Sequence, residues 1–412
     1  MLVEFSVGNF WSFKEIQTLQ MRAAKISSKY PKLDEDNVVV VDEQMSLLKS
    51  KAVFGANGSG KSNLVRAVFS MRNIVGDNVK DMKILETNIF PFQLSSETLK
   101  QPTFFQIVFV HKDILFRYGF EANTEAIISE WLFGKAINAK KGARERFYFT
   151  REGNNLEVNE SLLKEAKEKH LTIAGNNAPP LFRENSLYLT LLATYNVSLA
   201  LNLYDYIQLK LVPVFLESDT ATITTKLMES PRFRSQAAAL LNAIDPSIKE
   251  IKMERGFIWT IRHVKEENET KTVAFMLNYQ EAEGTKRVFA LSPYIFGTLE
   301  GGCTLIIDEF DAKLHPQLTR KIVELFHSPS TNPHNAQLIF ITHDSNLLDP
   351  QLLRRDQISF VQKDKNGATE LYSLVEFKGV RNDASFEKDY LQGKYRAVPT
   401  NLNQLEALFE SH

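Results

Sequence analysis

The run Gly55-Ala56-Asn57-Gly58-Ser59-Gly60-Lys61-Ser62 sets glycines, a lysine and a serine at the spacing of a phosphate-binding loop. Glycines let backbone N–H groups turn inward on phosphate oxygens, and a helix that begins at the lysine adds the partial positive charge of its N-terminus. Lys61 is expected to reach the β- and γ-phosphates of ATP, and the Ser62 hydroxyl to ligate Mg²⁺. Gly55, Ala56, Asn57, Gly58, Ser59, Gly60 and Asn63 complete the expected cradle. A second run, Thr304-Leu305-Ile306-Ile307-Asp308-Glu309, is an apolar strand that delivers two carboxylates at its C-terminal edge, the edge at which α/β folds bind ligands. Asp308 is expected to hold Mg²⁺ through water, and Glu309 to orient or deprotonate an attacking water. The third run, Ile341-Thr342-His343-Asp344, again follows an apolar strand, and His343 there is placed to hydrogen-bond a γ-phosphate. An acidic pair or a histidine at a strand end is commonplace by itself. The order of the three runs along one chain is what points to nucleotide chemistry.

The elements that must position these residues follow from periodicity. Residues 1–55 read as short strands, with Val3–Val7, Gln17–Met21, Val38–Val41 and Ser50–Phe54 alternating or fully apolar. Lys61 to Ile74 carries helical spacing through Leu64, Val65, Val68 and Met71, so the glycine run has the strand–loop–helix context it requires. Strands return between Phe104 and Phe149. From Leu156 to Ala243 the spacing is helical: Asn159 is placed to cap Glu160–Lys169, and Asn185–Ala200 and Ser235–Ala243 keep a 3.6-residue period. Strands resume at Ile248–Met253, Phe257–Val264 and Thr272–Leu277. The last third alternates Thr304–Ile307, a helix over Leu318–Phe326, Gln337–Ile341 and Ile358–Gln362, which implies a parallel sheet covered on both faces. His315-Pro316 is placed to start the helix, since proline is favoured in a first turn.

Composition narrows the class. The chain has 412 residues, 43% of them apolar and 24% charged, which suits a globular protein with more than one structural unit. No apolar stretch approaches the roughly 20 residues of a membrane span, and the start lacks the layout of a signal peptide. With the single cysteine, Cys303, these features lead us to expect a cytoplasmic protein. A formal net charge of -1 gives no global argument for nucleic-acid binding.

Taken together, Ser62 after the loop lysine, Asp308-Glu309 and His343 resemble the ABC-type ATPase heads of the SMC, Rad50, RecF and OLD proteins. Val7-Gly8-Asn9-Phe10-Trp11-Ser12-Phe13, Glu283-Gly284-Thr285-Lys286-Arg287 and Asp308-Glu309-Phe310-Asp311-Ala312-Lys313-Leu314-His315-Pro316 are more specific, and are similar to the bacterial AAA15/AAA21 group that includes RloA and AbiLi. The resemblance implies an α/β fold of the ABC-type P-loop head, with a mixed core sheet, an antiparallel β lobe and an inserted helical region. Residues 1–155 and 248–412 would be the two halves of the head, and 156–247 the insertion. It further implies a homodimer or higher even oligomer closed around ATP, with Gly284 and Thr285 reaching the nucleotide of the second copy. Glu309, His343 and Lys61 would be catalytic, and Ser62 and Asp308 would serve the metal. The glutamine that couples such heads to their lids at the metal corresponds to Gln93, in Phe90-Pro91-Phe92-Gln93-Leu94, with Gln106 as competitor.

Two positions depart from the group. Ala282 stands where a serine is usual, which removes one side-chain hydrogen bond to the trans nucleotide. Trp11 stands where many relatives carry Arg or Lys directed at the nucleotide; it would either stack on a base or, the commoner fate, pack beneath the sheet, with Lys14 as a substitute cation. The implied role is a sensor or regulator in an anti-phage or abortive-infection system. The alternatives are a RecF-like DNA-repair ATPase and a nucleotide-gated scaffold. Lys135, Lys140, Lys141, Arg144 and Arg146 would serve nucleic acid or form a solvated hairpin tip, the reading their strand connection favours. The stretch after His343 is short for a Toprim nuclease, and prolines interrupt the insertion too often for a long coiled coil. A separate effector, RloB-like or another nuclease or toxin, is therefore expected as partner.

Overall fold

The computed structural model describes residues 1–77, 79–140, 142–168, 183–215, 227–266, 269–380 and 384–399. Its centre is a six-stranded sheet in the order Leu211–Val214, Thr304–Ile307, Gln337–Ile341, Ser50–Phe54, Ile358–Lys363, Thr369–Ser373. The first five strands run parallel and only Thr369–Ser373 is antiparallel. Successive side chains on these strands enter different cores, as the period of two requires. Val53, Ile306, Ile339 and Ile341 face one core, while Ala52, Phe54, Leu305, Ile307, Leu338 and Phe340 face the other. Both faces are therefore dry, and the strands read as unbroken apolar runs.

The first core is closed by the helix Lys61–Asp77, which buries Leu64, Val65, Val68, Met71, Ile74 and Val75. Against its other side lies a seven-stranded antiparallel sheet, ordered Asn155–Val158, Arg146–Glu152, Ile127–Ala136, Ile114–Ala122, Thr103–His111, Leu2–Gly8, Gln17–Gln20. Phe5, Val7, Phe105, Phe109 and Phe120 fill the space between. The second core is closed by the helices Glu283–Gly301 and Pro316–His327, through Leu291, Ile295, Ile322, Val323 and Phe326. Gln337, at the start of an interior strand of the central sheet, ties it to the start of Leu2–Gly8 in the seven-stranded sheet: its Oε1 accepts from Leu2 N at 2.6 Å and its Nε2 donates to Leu2 O and Leu48 O at 3.0 Å.

The interval 156–247, expected as one helical insertion, is instead divided among three units. Leu211–Val214 is an edge strand of the central sheet, parallel to Thr304–Ile307. The stretch expected as one helix over Asn185–Ala200 is two, Tyr188–Thr194 and Ser198–Asp205, separated where Asn196 takes φ +58. These helices grip the helix Lys61–Asp77 from the side: Thr190 Oγ1 donates to Val75 O at 2.9 Å, and Arg72 and Gln208 exchange hydrogen bonds with each other's carbonyls. The third unit is the helix Pro231–Ile244, capped by Ser230, packed on a three-stranded sheet of Ile248–Glu254, Phe257–Glu266 and Glu269–Met276. The expected boundary at 247/248 thus cuts through one hydrophobic cluster, in which Phe233, Ala237 and Leu241 meet Ile248 and Ile251. The expected cap at Asn159 is present, with its Oδ1 accepting from Leu162 N at 2.9 Å. Pro179, Pro180 and Lys141 lie outside the described residues.

One buried carboxylate joins the side helices to the seven-stranded sheet. Glu130 accepts from Tyr188 N at 2.6 Å, Leu189 N at 3.0 Å and Tyr118 Oη at 3.0 Å, and stands 4.0 Å from Arg151, with both charged side chains fully buried. Removing one partner of such a pair strands the other charge away from water. Glu130→Ala is expected to lower unfolding stability by about 3–5 kcal/mol, read from urea denaturation, because the helix Tyr188–Thr194 loses its cap and Arg151 its carboxylate.

Candidate functional site

The strand register assembles the site. Ile341 pairs with Val53, and Ile307 pairs with Phe340, so the parallel strands ending at Phe54, Ile341 and Ile307 finish in one row. Gly55, Thr342-His343 and Asp308-Glu309 therefore leave the sheet side by side, at the edge where crossover connections leave a crevice.

Within the glycine run, Gly58 (φ +75) and Gly60 (φ +101) take backbone conformations that a side chain would resist. A Cβ on Gly55 would meet the Val361 carbonyl, and one on Gly60 would meet Thr369 Oγ1 and lie 2.5 Å from Ser12 Oγ. The loop is pinned from behind by Thr369, which has no sequence signal of its own, together with Ser12 and Asn63. Thr369 Oγ1 donates to Ser59 O at 2.9 Å and shares a 2.7 Å hydrogen bond with Ser12 Oγ, which also accepts from Asn63 Nδ2 at 2.7 Å. Asn57 and Gly58 are exposed at the tip, whereas Ser59 is buried and its Oγ has no hydrogen-bond partner. An orphaned buried hydroxyl beside two left-handed glycines is a cradle suited to an anion.

Lys61 is buried and folds back on the loop, its Nζ donating to Gly55 O and Ala56 O at 2.8 Å each. Burial lowers its pKa to about 8, partly offset by Asp308, Asp311 and Glu309. Asp308 is 6% exposed and its Oδ1 accepts from Glu309 N at 3.1 Å. Glu309 is exposed and holds φ +48, a conformation that non-glycine residues adopt at a cost and that clusters at functional sites. His343 is fixed by its backbone N–H, which donates to Asp311 Oδ1 at 3.1 Å. Burial, then Lys61, holds the imidazole below its ordinary pKa, against the opposing pull of Asp311, Glu309 and Asp308. Lys61 and His343 thus both feel the charges of Asp308, Glu309 and Asp311.

The residues fit Mg²⁺ bound with a nucleotide. Among the described residues no cluster of three histidine, cysteine or carboxylate side chains could cage a metal alone. A hydroxyl, one carboxylate and substrate phosphates are the ligand set that Mg²⁺ commonly uses. Ser62 and Asp308 would supply the first two. Gln93 is exposed in a loop whose neighbour Phe92 is held by Asn9 Oδ1, and it makes no hydrogen bond to Ser62 or Asp308. Gln106 accepts from Trp131 Nε1 at 3.2 Å within the seven-stranded sheet.

Gly284 and Thr285 open the helix Glu283–Gly301, with Ala282 at its N-cap and no side-chain cap. A Cβ on Gly284 would lie 2.9 Å from Lys313 O, and Glu283 bridges Lys286 at 2.8 Å and Lys313 at 2.7 Å. Arg287 Nη2 lies 3.5 Å from Glu309 O. The helix start is therefore seated on the loop that follows Asp308-Glu309, and no hydrogen bond among the described residues joins Gly284 or Thr285 to the glycine run. His315 caps the helix Pro316–His327, its Nδ1 accepting from Gln317 N at 3.2 Å. Trp11 does not pack beneath the sheet: it is 41% exposed at φ +49. Lys14 is half-buried. Lys140 and Arg144 are exposed in the connection between the adjacent antiparallel strands Ile127–Ala136 and Arg146–Glu152, and Lys135 and Arg146 lie on those strands at its two ends.

Because burial lowers the Lys61 pKa, the free protein carries this lysine increasingly neutral above about pH 8, while phosphate oxygens favour its charged form. Binding then requires proton uptake. ATP affinity is expected to fall as pH rises above about 8, by at most tenfold per pH unit, and Lys61→Arg, which stays charged, is expected to flatten the profile. Calorimetric titration across pH 7–10 checks this.

Among known proteins, the solved SMC head domain from Thermotoga maritima is similar over 90% of this chain and 98% of its own, at 14% identity and a TM-score of 0.41. No curated protein matches the sequence significantly. Among the described residues no helix is long and apolar enough to cross a membrane. Residues 52–349, more than two thirds of the chain, match the family model described as "AAA domain, putative AbiEii toxin, Type IV TA system". The chain belongs to this family of AAA-domain, P-loop ATPase-type proteins.

Proposed function

We propose that this AAA-domain protein hydrolyses ATP to ADP and phosphate as a dimer, each copy completing the other's site through Glu283-Gly284-Thr285. In this reading it acts as sensor or regulator of an anti-phage or abortive-infection system whose effector is a separate protein. The observation that carries the enzymatic part is the convergence of Lys61, Asp308, Glu309 and His343 on one sheet edge. The family's description, a toxin and a type IV TA system, supports the setting.

The chain's own groups divide the work. Backbone N–H groups of Gly58–Lys61 and the start of the helix Lys61–Asp77 bind the phosphates. Lys61 exchanges its two carbonyl partners for β- and γ-phosphate oxygens. Glu309, exposed at the strand end, takes a proton from the attacking water at its carboxylate. His343, neutral at pH 7 by the direction of its shift, donates an N–H to the γ-phosphate. Ser62 Oγ and, through water, Asp308 would hold Mg²⁺, which would supply charge neutralisation on the phosphate oxygens. The N-terminus of the helix Glu283–Gly301 adds backbone donors from the second copy.

Glu309→Gln is expected to slow phosphate release by roughly 10²–10⁴-fold and to trap an ATP-bound dimer visible by light scattering. Turnover that stays unchanged, with no dimer, would overturn the catalytic assignment. Lys61→Ala is expected to abolish both binding and turnover.

Ala282 sits at an N-cap with extended φ/ψ (-62, 148) and offers no oxygen to the first-turn N–H groups. Ala282→Ser is expected to stabilise the protein by about 1 kcal/mol and to raise ATP turnover. A thermal melt and a phosphate-release assay on the same preparation separate the two effects, since a hydroxyl that serves only as a cap would raise stability without changing turnover.

A further inference from the structure

The turn Phe10-Trp11-Ser12-Phe13 is closed by two reciprocal backbone hydrogen bonds, Phe10 N to Phe13 O at 2.9 Å and Phe13 N to Phe10 O at 2.8 Å. Phe10 and Phe13 are both fully buried, and in so short a turn the intervening Trp11 is thrown outward. Its backbone takes φ +49, which for a bulky residue is strained and persists only where the surroundings enforce it. Two anchors do so. Trp11 N donates to Phe90 O at 2.7 Å, and the next residue, Ser12, bonds Asn63 and Thr369.

Those bonds place the indole beside the glycine run. Asn63 directly follows Ser62 on the first turn of the phosphate-loop helix, and Ser12 Oγ accepts from its side chain at 2.7 Å. The indole leans on Phe90, with ring centroids 4.9 Å apart and planes 32° off parallel. The Arg66 guanidinium lies 5.4 Å from its centre. Arg66 is itself exposed, and one 3.1 Å hydrogen bond to Asn63 Oδ1 holds it, so it can swing aside at the cost of one surface contact. A large aromatic surface, backed by a second ring and rimmed by a cation, is thus kept in water next to a phosphate cradle.

We propose that Trp11 is the platform on which the base of the bound nucleotide stacks, so that the site recognises the base by its face and takes purine nucleoside triphosphates as a class. This rests on the phosphate-loop reading above. Every base presents a π-face, and a two-ring purine covers an indole more fully than a pyrimidine, so stacking selects by ring size and not by edge pattern. Arg66 flanks the stacked base and adds cation–π attraction.

The experiment compares ATP, GTP, CTP and inorganic tripolyphosphate by calorimetry on the wild type, Trp11→Asn, Trp11→Phe and Lys61→Ala. Asparagine tolerates the left-handed backbone, so Trp11→Asn removes the ring while keeping the turn. Expected is a loss of ATP and GTP affinity of roughly five- to 150-fold in Trp11→Asn, with tripolyphosphate binding unchanged, most affinity kept in Trp11→Phe, and ATP and GTP both preferred over CTP by the wild type. Trp11→Asn that binds ATP like the wild type, or that weakens ATP and tripolyphosphate equally, overturns the proposal. Lys61→Ala tests the phosphate loop separately: it is expected to lose both ligands, and if it keeps them the phosphate-loop reading fails whatever Trp11 does.

Discussion

A parallel sheet must be covered on both faces, and here that requirement sets the position of nearly everything else. Alternate residues of Thr304–Ile307, Gln337–Ile341 and Ser50–Phe54 enter two separate cores. One core needs the helix Lys61–Asp77 against it, and that helix in turn needs a cover on its outer side, which the seven-stranded sheet provides. Because the strands are parallel and in register, their C-terminal ends form one line. A phosphate loop, an acidic pair and a histidine that lie far apart in sequence then share a crevice without any bond between them having to arrange it.

The same packing couples the crevice to the rest of the chain. The helix that begins at Lys61 is held near its far end by Thr190, Tyr204 and Gln208, and the segment bearing them is capped onto the β lobe by Glu130. On the opposite face, the helix Glu283–Gly301 belongs to two clusters at once. Val288 and Phe289 lie with the helix Pro231–Ile244 and the three-stranded sheet, while Leu291 and Ile295 lie with the central sheet. Just before this helix, Glu281 receives both guanidinium nitrogens of Arg262, at 2.6 and 3.0 Å. A bidentate, largely buried pair of this kind fixes geometry as well as sign, so the three-stranded sheet and the start of the helix cannot shift independently.

Much of this was legible in the sequence because it rests on local rules. The apolar runs at Ser50–Phe54, Thr304–Ile307 and Gln337–Ile341, the helical spacing after Lys61 and the proline at 316 each state their own structure. What was not legible depends on distant partners. Leu211–Val214 is four residues with an internal proline, a poor strand by composition, and it is one only because Thr304–Ile307 offers it an edge. The run Asn185–Ala200 keeps its helical period across a break that Asn196 makes by turning left-handed. Thr369, which pins the glycine loop, is an ordinary strand residue until the fold brings it to Ser12 and Ser59. Trp11 was expected inside because large aromatic residues usually are; the inward places on its turn were already taken by Phe10 and Phe13.

Several costly features of the backbone and of the buried polar groups lie where the crevice opens. Asn9 (φ +46), Trp11 (φ +49) and Glu309 (φ +48), none of them glycine, are left-handed there. Ser59 Oγ is buried without a partner, and Lys61 is kept well below its ordinary pKa by burial. A strained non-glycine residue or an unsatisfied buried polar group costs roughly 1–3 kcal/mol, and a triphosphate would relieve the second kind: it would offer acceptors to Ser59 and to the loop N–H groups, and it would favour the charged form of Lys61. Lys61 meanwhile has a resting place on Gly55 O and Ala56 O, so the empty loop does not collapse around an unsatisfied ammonium. Binding of a triphosphate would exchange those two carbonyls for anionic oxygens, a stronger class of hydrogen bond. The free energy that holds a nucleotide here would therefore come in part from partnering groups that the empty loop leaves unsatisfied. The glycine loop is thus the place where this molecule is built to be changed by a ligand.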